Sequence, residues 1–269
     1  MSRLPHLLLL AVLCTTIVGP ATAQEDATAT DLGGFEEIDG TTLTPTTLSY
    51  NATVKTGGRS LDLSATQTVA RTTTDGTETW TLVNTIQTPR GTNTDSLIVD
   101  RSSLLPLSRH RSGGASMDLS YTAPSASGST NVSGTMRRGG QSVSIRKRLG
   151  GPTLAGGVHD VIAVGAMPLR PGFSTTLRVF SPQDQTTKPA EFEVTGTETV
   201  KTPAGSFETY VVDLNVGDGY VTGTVHLRKE APHYHVKWAT EVTTGRGTRT
   251  ITQTLSSMEG GAMKPPSVQ

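Results

Sequence analysis

At 269 residues the chain is long enough to bury a sizeable core in one domain, or at most two. Its 23 basic and 23 acidic residues cancel, which excludes an overall field drawing it to nucleic acid or anionic lipid. Aromatic residues make up 4% of the chain, too few for the stacking platforms that hold sugars or single strands.

Residues 1–23 have the layout of a secretory signal. Arg3 gives the positive start, Leu7 to Val18 the apolar stretch, and Ala21-Thr22-Ala23 a small-x-small cleavage site. A membrane span needs ~20 apolar residues. This run is shorter and is broken by Gly19 and Pro20, so no span is expected after cleavage. Leu13, bulky where a lipoprotein signal wants a small residue, argues against lipid modification of Cys14. No other cysteine exists, so the exported chain lacks disulfides, thiol nucleophiles and thiolate ligands. The expected location is the periplasm, with the extracellular space as the alternative.

Residues 24–46 show no sustained period and read as a flexible leader, and residues 258–269 as a flexible tail. Between them, 47–257 read as one antiparallel β domain. "TLSYNATV" sets Leu48, Tyr50 and Ala52 on one face, "SLDLSATQTVA" sets Leu61, Leu63 and Ala65, and "TWTLVNTIQT" sets Trp80, Leu82 and Ile86. About ten further runs follow, with Thr in most polar slots and Gly, Asn, Asp or Pro at the turns. The class this predicts is all-β and mainly antiparallel: a large curled sheet, half-barrel or barrel-like. Only "GGVHDVIAVGAMPLRPG" breaks the habit, and its spacing predicts one short helix from about His159 to Met167 that could plug or cover one end of the sheet.

The hairpin "VKTPAGSFETYVVDL" fixes a register. Thr202 opposite Gly205 puts Val200 opposite Phe207. Continued straight, that register would leave Phe192 and Val194 on the face away from Tyr210, Val212 and Leu214. One extra residue makes a single apolar row, so a bulge is expected at Gly196-Thr197. The basic stretch from Arg137 and Arg138 to Arg146, Lys147 and Arg148 reads as a charged edge strand that blocks sheet-to-sheet association.

Reactive sets are sparse. No G-x-S-x-G elbow, phosphate-binding loop or pair of carboxylates with an evident acid–base role is present. His233 and His235 lie two apart, on one face of a strand, and His226 could lie near them. A solvated face accounts for them better than a metal site, so neither metal nor cofactor is expected.

The order "HDVIAVGAMPLRPGFSTTLRVF", "VKTPAGSFETYVVDL", "GTVHLRKEAPHYHVKWATEV", over 159–242, resembles the exported bacterial proteins grouped as DUF3108. In that family a "tpaGtf…y.v" hairpin precedes a "w.s.d..r.Pvk.e" strand pair, and "SSLLPLSRHR" is similar to its Pro-bearing strand. The resemblance implies a curled antiparallel sheet similar in architecture to periplasmic lipoprotein carriers, whose half-barrel holds acyl chains. It carries no catalytic residues with it.

The expected function is therefore a non-enzymatic exported protein binding an apolar small molecule or lipid on its curved sheet. The residues expected to line that site are Trp80, Leu82, Tyr210, Val212, Leu214 and Trp238. The wider rows add Leu61, Leu63, Ile86, Leu177, Val179 and Val236, and the same residues could simply fill a closed core. The alternatives are a module of cell-envelope assembly whose basic hairpin docks an envelope protein, and an enzyme of unrecognised type. No nucleic-acid partner is expected.

Overall fold

The computed structural model describes residues 34–122, 130–245 and 247–260. The expected signal peptide, the first part of the leader and residues 261–269 lie outside them. The first eight strands are β1 (Thr46–Thr56), β2 (Arg59–Thr74), β3 (Thr77–Thr88), β4 (Gly91–Asp100), β5 (Pro106–Ser112), β6 (Ala115–Tyr121), β7 (Thr130–Arg138) and β8 (Gln141–Leu149). Helix α1 (Val158–Gly165) follows. The chain then forms β9 (Ser174–Ser181), β10 (Thr186–Thr202), β11 (Gly205–Val216), β12 (Val221–Arg228), β13 (His235–Thr244) and β14 (Gly247–Gly260).

All fourteen strands join one antiparallel sheet, ordered β8-β7-β6-β5-β4-β3-β2-β1-β14-β13-β12-β11-β10-β9. It is all-β, curled and nearly closed like a barrel, with one short helix, as the alternation predicts. Two up-and-down halves meet where β1 pairs with β14, from Thr46 opposite Gly260 to Thr56 opposite Arg249. Met258 to Gly260 are therefore strand and not tail. The seam lies between end strands β8 and β9. The segment after β8 crosses it, and Leu154 bridges to Val179 of β9. Arg146, Lys147 and Arg148 sit exposed on end strand β8, where their charge opposes pairing with a second sheet.

Because the strands alternate in direction, the turns alternate between two ends. Those at Gly57-Gly58, Pro89-Arg90, Gly113-Gly114, Gly139-Gly140, 182–185, 217–220 and the one that follows Thr244 share one end. The other end is plugged. Residues 34–45, which composition assigns to the leader, form two short 3-10 turns at Phe35–Glu37 and Gly40–Thr42. Ile38 and Leu43 anchor them in the core, Asp39 N–H donates to the Ala166 carbonyl at 2.9 Å, and Trp80 Nε1 donates to the Gly40 carbonyl at 2.9 Å. Apolar side chains at local spacing cannot reveal such a partner, because the plug's partners lie from 40 residues away, at Trp80, to more than 120, at Ala166.

Helix α1 runs inside the sheet. Every residue from His159 to Gly165 is buried. Its far end passes so close to the β12–β13 connection that a Cβ on Gly165 would lie 2.6 Å from the His233 carbonyl oxygen. Pairing in β10–β11 shows Thr202 opposite Gly205 and Val200 opposite Phe207. The register shift falls between Val194 and Gly196, so the extra residue is Thr195, just before the expected Gly196-Thr197. It sets Phe192 opposite Leu214 and Val194 opposite Val212, giving one continuous buried row.

Candidate functional site: an apolar cavity above the buried helix

The helix and plug fill only part of the interior. Above the first turn of α1 a cavity of about 330 Å³ remains. Its walls come from β2 to β5 on one side and β12 to β14 on the other, with Val158, His159 and Ile162 of α1 as floor. Leu82, Leu97, Ile162 and Thr240 are buried around its inner part. Ile86, Asn93, Arg111, Val221, Val242 and Ile251 are half-buried and lie toward the end carrying the seven turns, where the mouth opens.

Three polar features interrupt the apolar wall. Arg109 and Asp95 form a two-point ion pair, Nε–Oδ1 2.9 Å and Nη2–Oδ2 2.6 Å, and Arg109 also donates to the Ala155 carbonyl. Burial works against the Arg109 charge, and the Asp95 carboxylate more than offsets it, so its pKa is raised. His159 is neutral and locked. Nδ1 accepts the Ala155 amide at 3.1 Å, Nε2 donates to the Leu104 carbonyl at 2.8 Å, and burial pushes the imidazole down to about 4. Behind it, Asp160 is buried and accepts the Gly156 amide at 3.1 Å; burial pushes its carboxyl up to about 7, against the nearby Arg109.

The third feature is a group of donors without acceptors. Gln67 is 1% exposed, its Oε1 faces the Tyr50 hydroxyl at 3.4 Å, and its Nε2 has no partner. Tyr50 stacks on His235 with centroids 4.4 Å apart, and His235 meets Trp238 edge-on at 5.7 Å. Trp238 Nε1 is likewise buried without a partner. Gln67 and Trp238 both line the cavity. A buried donor left unpaired costs on the order of 1–3 kcal/mol, which a ligand oxygen would relieve.

A family model described as a protein of unknown function, DUF3108, matches residues 47–254. The chain belongs to the DUF3108 family. The match extends well beyond the 159–242 stretch whose motifs resemble it, into all of the first half of the sheet. No curated protein matches the sequence. Three solved structures are similar to this DUF3108 chain over 81% of its length. A β-barrel-like protein of the DUF1849 domain from Brucella abortus has TM-score 0.49 and 9% identity, with 98% of that chain covered. A protein of YmcC-like fold from Bacteroides fragilis has TM-score 0.30 and 12% identity, with 96% covered. A DUF1329 family protein from Desulfovibrio piger has TM-score 0.30 and 10% identity, with 85% covered.

Of the six residues expected to line a site, Leu82 and Trp238 do line the cavity, as does Ile86 from the wider rows. Trp80 lies in the same strand row as Leu82 but at the plugged end, fully buried against Gly40. Val212 and Leu214 pack into solid core with Phe192 and Val194. Tyr210 lies edge-on to His233 at 5.7 Å, beneath the connection between β12 and β13. The three histidines do not converge. His226 pairs with Glu198 at 2.7 Å, His233 Nδ1 lies 2.7 Å from the Arg228 carbonyl, and His235 stacks on Tyr50. Among the described residues no three His, Cys, Asp or Glu side chains gather as metal ligands would. Gln67, Asp95 and Arg109 carry no motif that singles them out in the sequence, yet each is a polar residue at an inward position of its strand. Gln67 continues Leu63 and Ala65 toward Val69.

Proposed function

We propose that this DUF3108 protein is an exported, non-catalytic binding protein that takes a small apolar molecule, or one end of a lipid chain, into the interior cavity. The observation that carries the reading is the cavity itself. At about 330 Å³ it stands at the low end of the ~300–1,000 Å³ typical of small-molecule sites, too small for a whole two-chain lipid. Leu82, Ile86, Trp238, Val242 and Ile251 offer it apolar contact, and the free donors of Gln67 and Trp238 favour a ligand with one oxygen at its buried end. The polar groups nearby support binding over catalysis. Arg109 and Asp95 hold each other, and both nitrogens of His159 are engaged, so among the described residues lining the space no free base faces it. Export rests on the signal-like residues 1–23.

Fluorescence titration with the neutral apolar probe N-phenyl-1-naphthylamine tests the reading. Saturable binding that is displaced by a nine-carbon methyl ketone more strongly than by nonane is expected. Absence of saturable probe binding would overturn it.

A further inference from the structure

The charges cancel over the whole chain but not over its surface. The four hairpin turns at the cavity end of the first half carry Lys55 and Arg59, Arg90, Arg111, and Arg137 and Arg138. None of those turns carries a carboxylate. None of these six cations is in an ion pair among the described residues, and all but Arg111 are exposed. Arg249, opposite Thr56 on the neighbouring β14, extends the row. The carboxylates at that end lie elsewhere. Asp184 pairs with Lys188 at 2.7 Å, and Asp218 sits on the β11–β12 turn across the mouth. On the strands below the rim, Asp62 bonds Thr53, Asp95 bonds Arg109, and Glu241 lies on β13.

Apolar side chains stand on the same rim. Leu61 is 43% exposed and Val143 40% exposed, and these are two of only three large apolar side chains so exposed among the described residues. Leu61 pairs with Val54, and Val54 with Ile251, so an apolar strip runs from the cavity wall to the basic lip.

We infer that the basic rim formed by the hairpin turns at Lys55–Arg59, Arg90, Arg111 and Arg137–Arg138 docks the cavity mouth onto an anionic lipid bilayer surface. Cations in a row are attracted to phosphate headgroups, and Leu61 and Val143 supply apolar contact below the headgroups. A nucleic acid would meet the same charges without using those two side chains, and the rim carries no aromatic residue on which bases could stack. Docked this way, the mouth faces the bilayer, the source of the apolar ligand proposed above. The docking itself stands on the rim alone.

Vesicle co-sedimentation tests it. The protein is expected to bind equimolar phosphatidylglycerol–phosphatidylcholine vesicles, to bind pure phosphatidylcholine weakly, and to be released by salt. Each rim cation contributes roughly fivefold to partitioning, so the R59Q/R90Q/R137Q/R138Q variant is expected to lose roughly 600-fold. L61N is expected to weaken binding at a salt concentration where charge is screened. Equal binding to both vesicle types, an unchanged quadruple variant, or duplex DNA stripping the protein from vesicles at matched phosphate would each overturn the proposal. Titration of the same variants with N-phenyl-1-naphthylamine shows that they are folded and separates the two readings. Lost vesicle binding with intact probe binding in the wild type sinks only the rim, and the reverse sinks only the cavity.

Discussion

The His159 imidazole donates to the Leu104 carbonyl at 2.8 Å, tying the first turn of the buried helix to the β4–β5 connection. Leu104 holds a left-handed backbone, φ +54°, uncommon for a branched residue, and the histidine holds its carbonyl in place. Through Nδ1 the same ring holds the Ala155 amide. His159→Leu leaves both groups buried and unpaired, at on the order of 1–3 kcal/mol each. A loss of about 2–4 kcal/mol is expected in urea unfolding, together with weaker probe binding, since the helix is the cavity floor. A loss below about 0.5 kcal/mol would show that the contact holds nothing.

Stability should fall in mild acid, with a slope that Asp160 halves. His159 and His235 titrate at about 4 in the folded chain and ~6.5 unfolded. Between those values the unfolded chain binds two more protons, and stability drops as pH falls. Asp160 runs the other way. Its folded value of about 7 against ~3.9 unfolded means that the folded chain holds one extra proton in the same window. The net difference from these three groups is one proton, about 1.4 kcal/mol per pH unit, and Asp160→Asn raises it to two. Chemical denaturation from pH 6.5 to 4 measures both slopes. Parallel curves for the two proteins would refute the assignment.

The Arg109–Asp95 pair is the charged seam of the cavity wall. Its side chains are 12% and 23% exposed, so water still screens it in part. Removing one partner strands the other charge, and Asp95→Leu is expected to cost about 2 kcal/mol or more. The double variant D95L/R109M removes the stranded charge and is expected to regain most of that loss. A double variant as unstable as the sum of its single variants would indicate that the two residues act independently.

A blocked mouth separates binding from folding. Val242 is half-buried on the wall near the turns, and Val242→Trp fills space without entering the core. Probe affinity is expected to fall at least about tenfold, or 1.4 kcal/mol, while unfolding stability shifts by no more than about 1 kcal/mol. Undiminished affinity would place the probe elsewhere on the surface.

Alternation in the sequence told inward from outward at most positions, because a side chain's face in a strand is local information. It could not tell which inward residues meet other side chains and which meet empty space. Trp80 and Leu82 are indistinguishable by period, yet one lies under the plug and the other faces the cavity. That difference depends on where residues 34–45 and α1 settle, and both are distant in sequence from β3. The basic rim was hidden in the same way. Its cations are spread over more than 80 residues and converge only because alternate turns of an up-and-down sheet share an end.

The bulge at Thr195 gives that logic its sharpest test. Phe192 and Val194 are buried, 4% and 1% exposed, only because one surplus residue turns them onto the face of Val212 and Leu214. Thr195 itself is exposed, and its side chain makes only a 3.4 Å contact with the Val211 carbonyl. Identity at this position should matter little and residue count a great deal. Thr195→Ala is expected to stay within about 0.5 kcal/mol of the parent. Deleting Thr195 rotates one arm of β10 by a face, either expelling Phe192 and Val194 or displacing Val200 from Phe207. Exposing two large apolar side chains costs roughly 2–5 kcal/mol each, enough to abolish a cooperative urea transition followed by tryptophan emission. A deletion variant that unfolds cooperatively at the parent's midpoint would mean that the register is not what holds this row in the core.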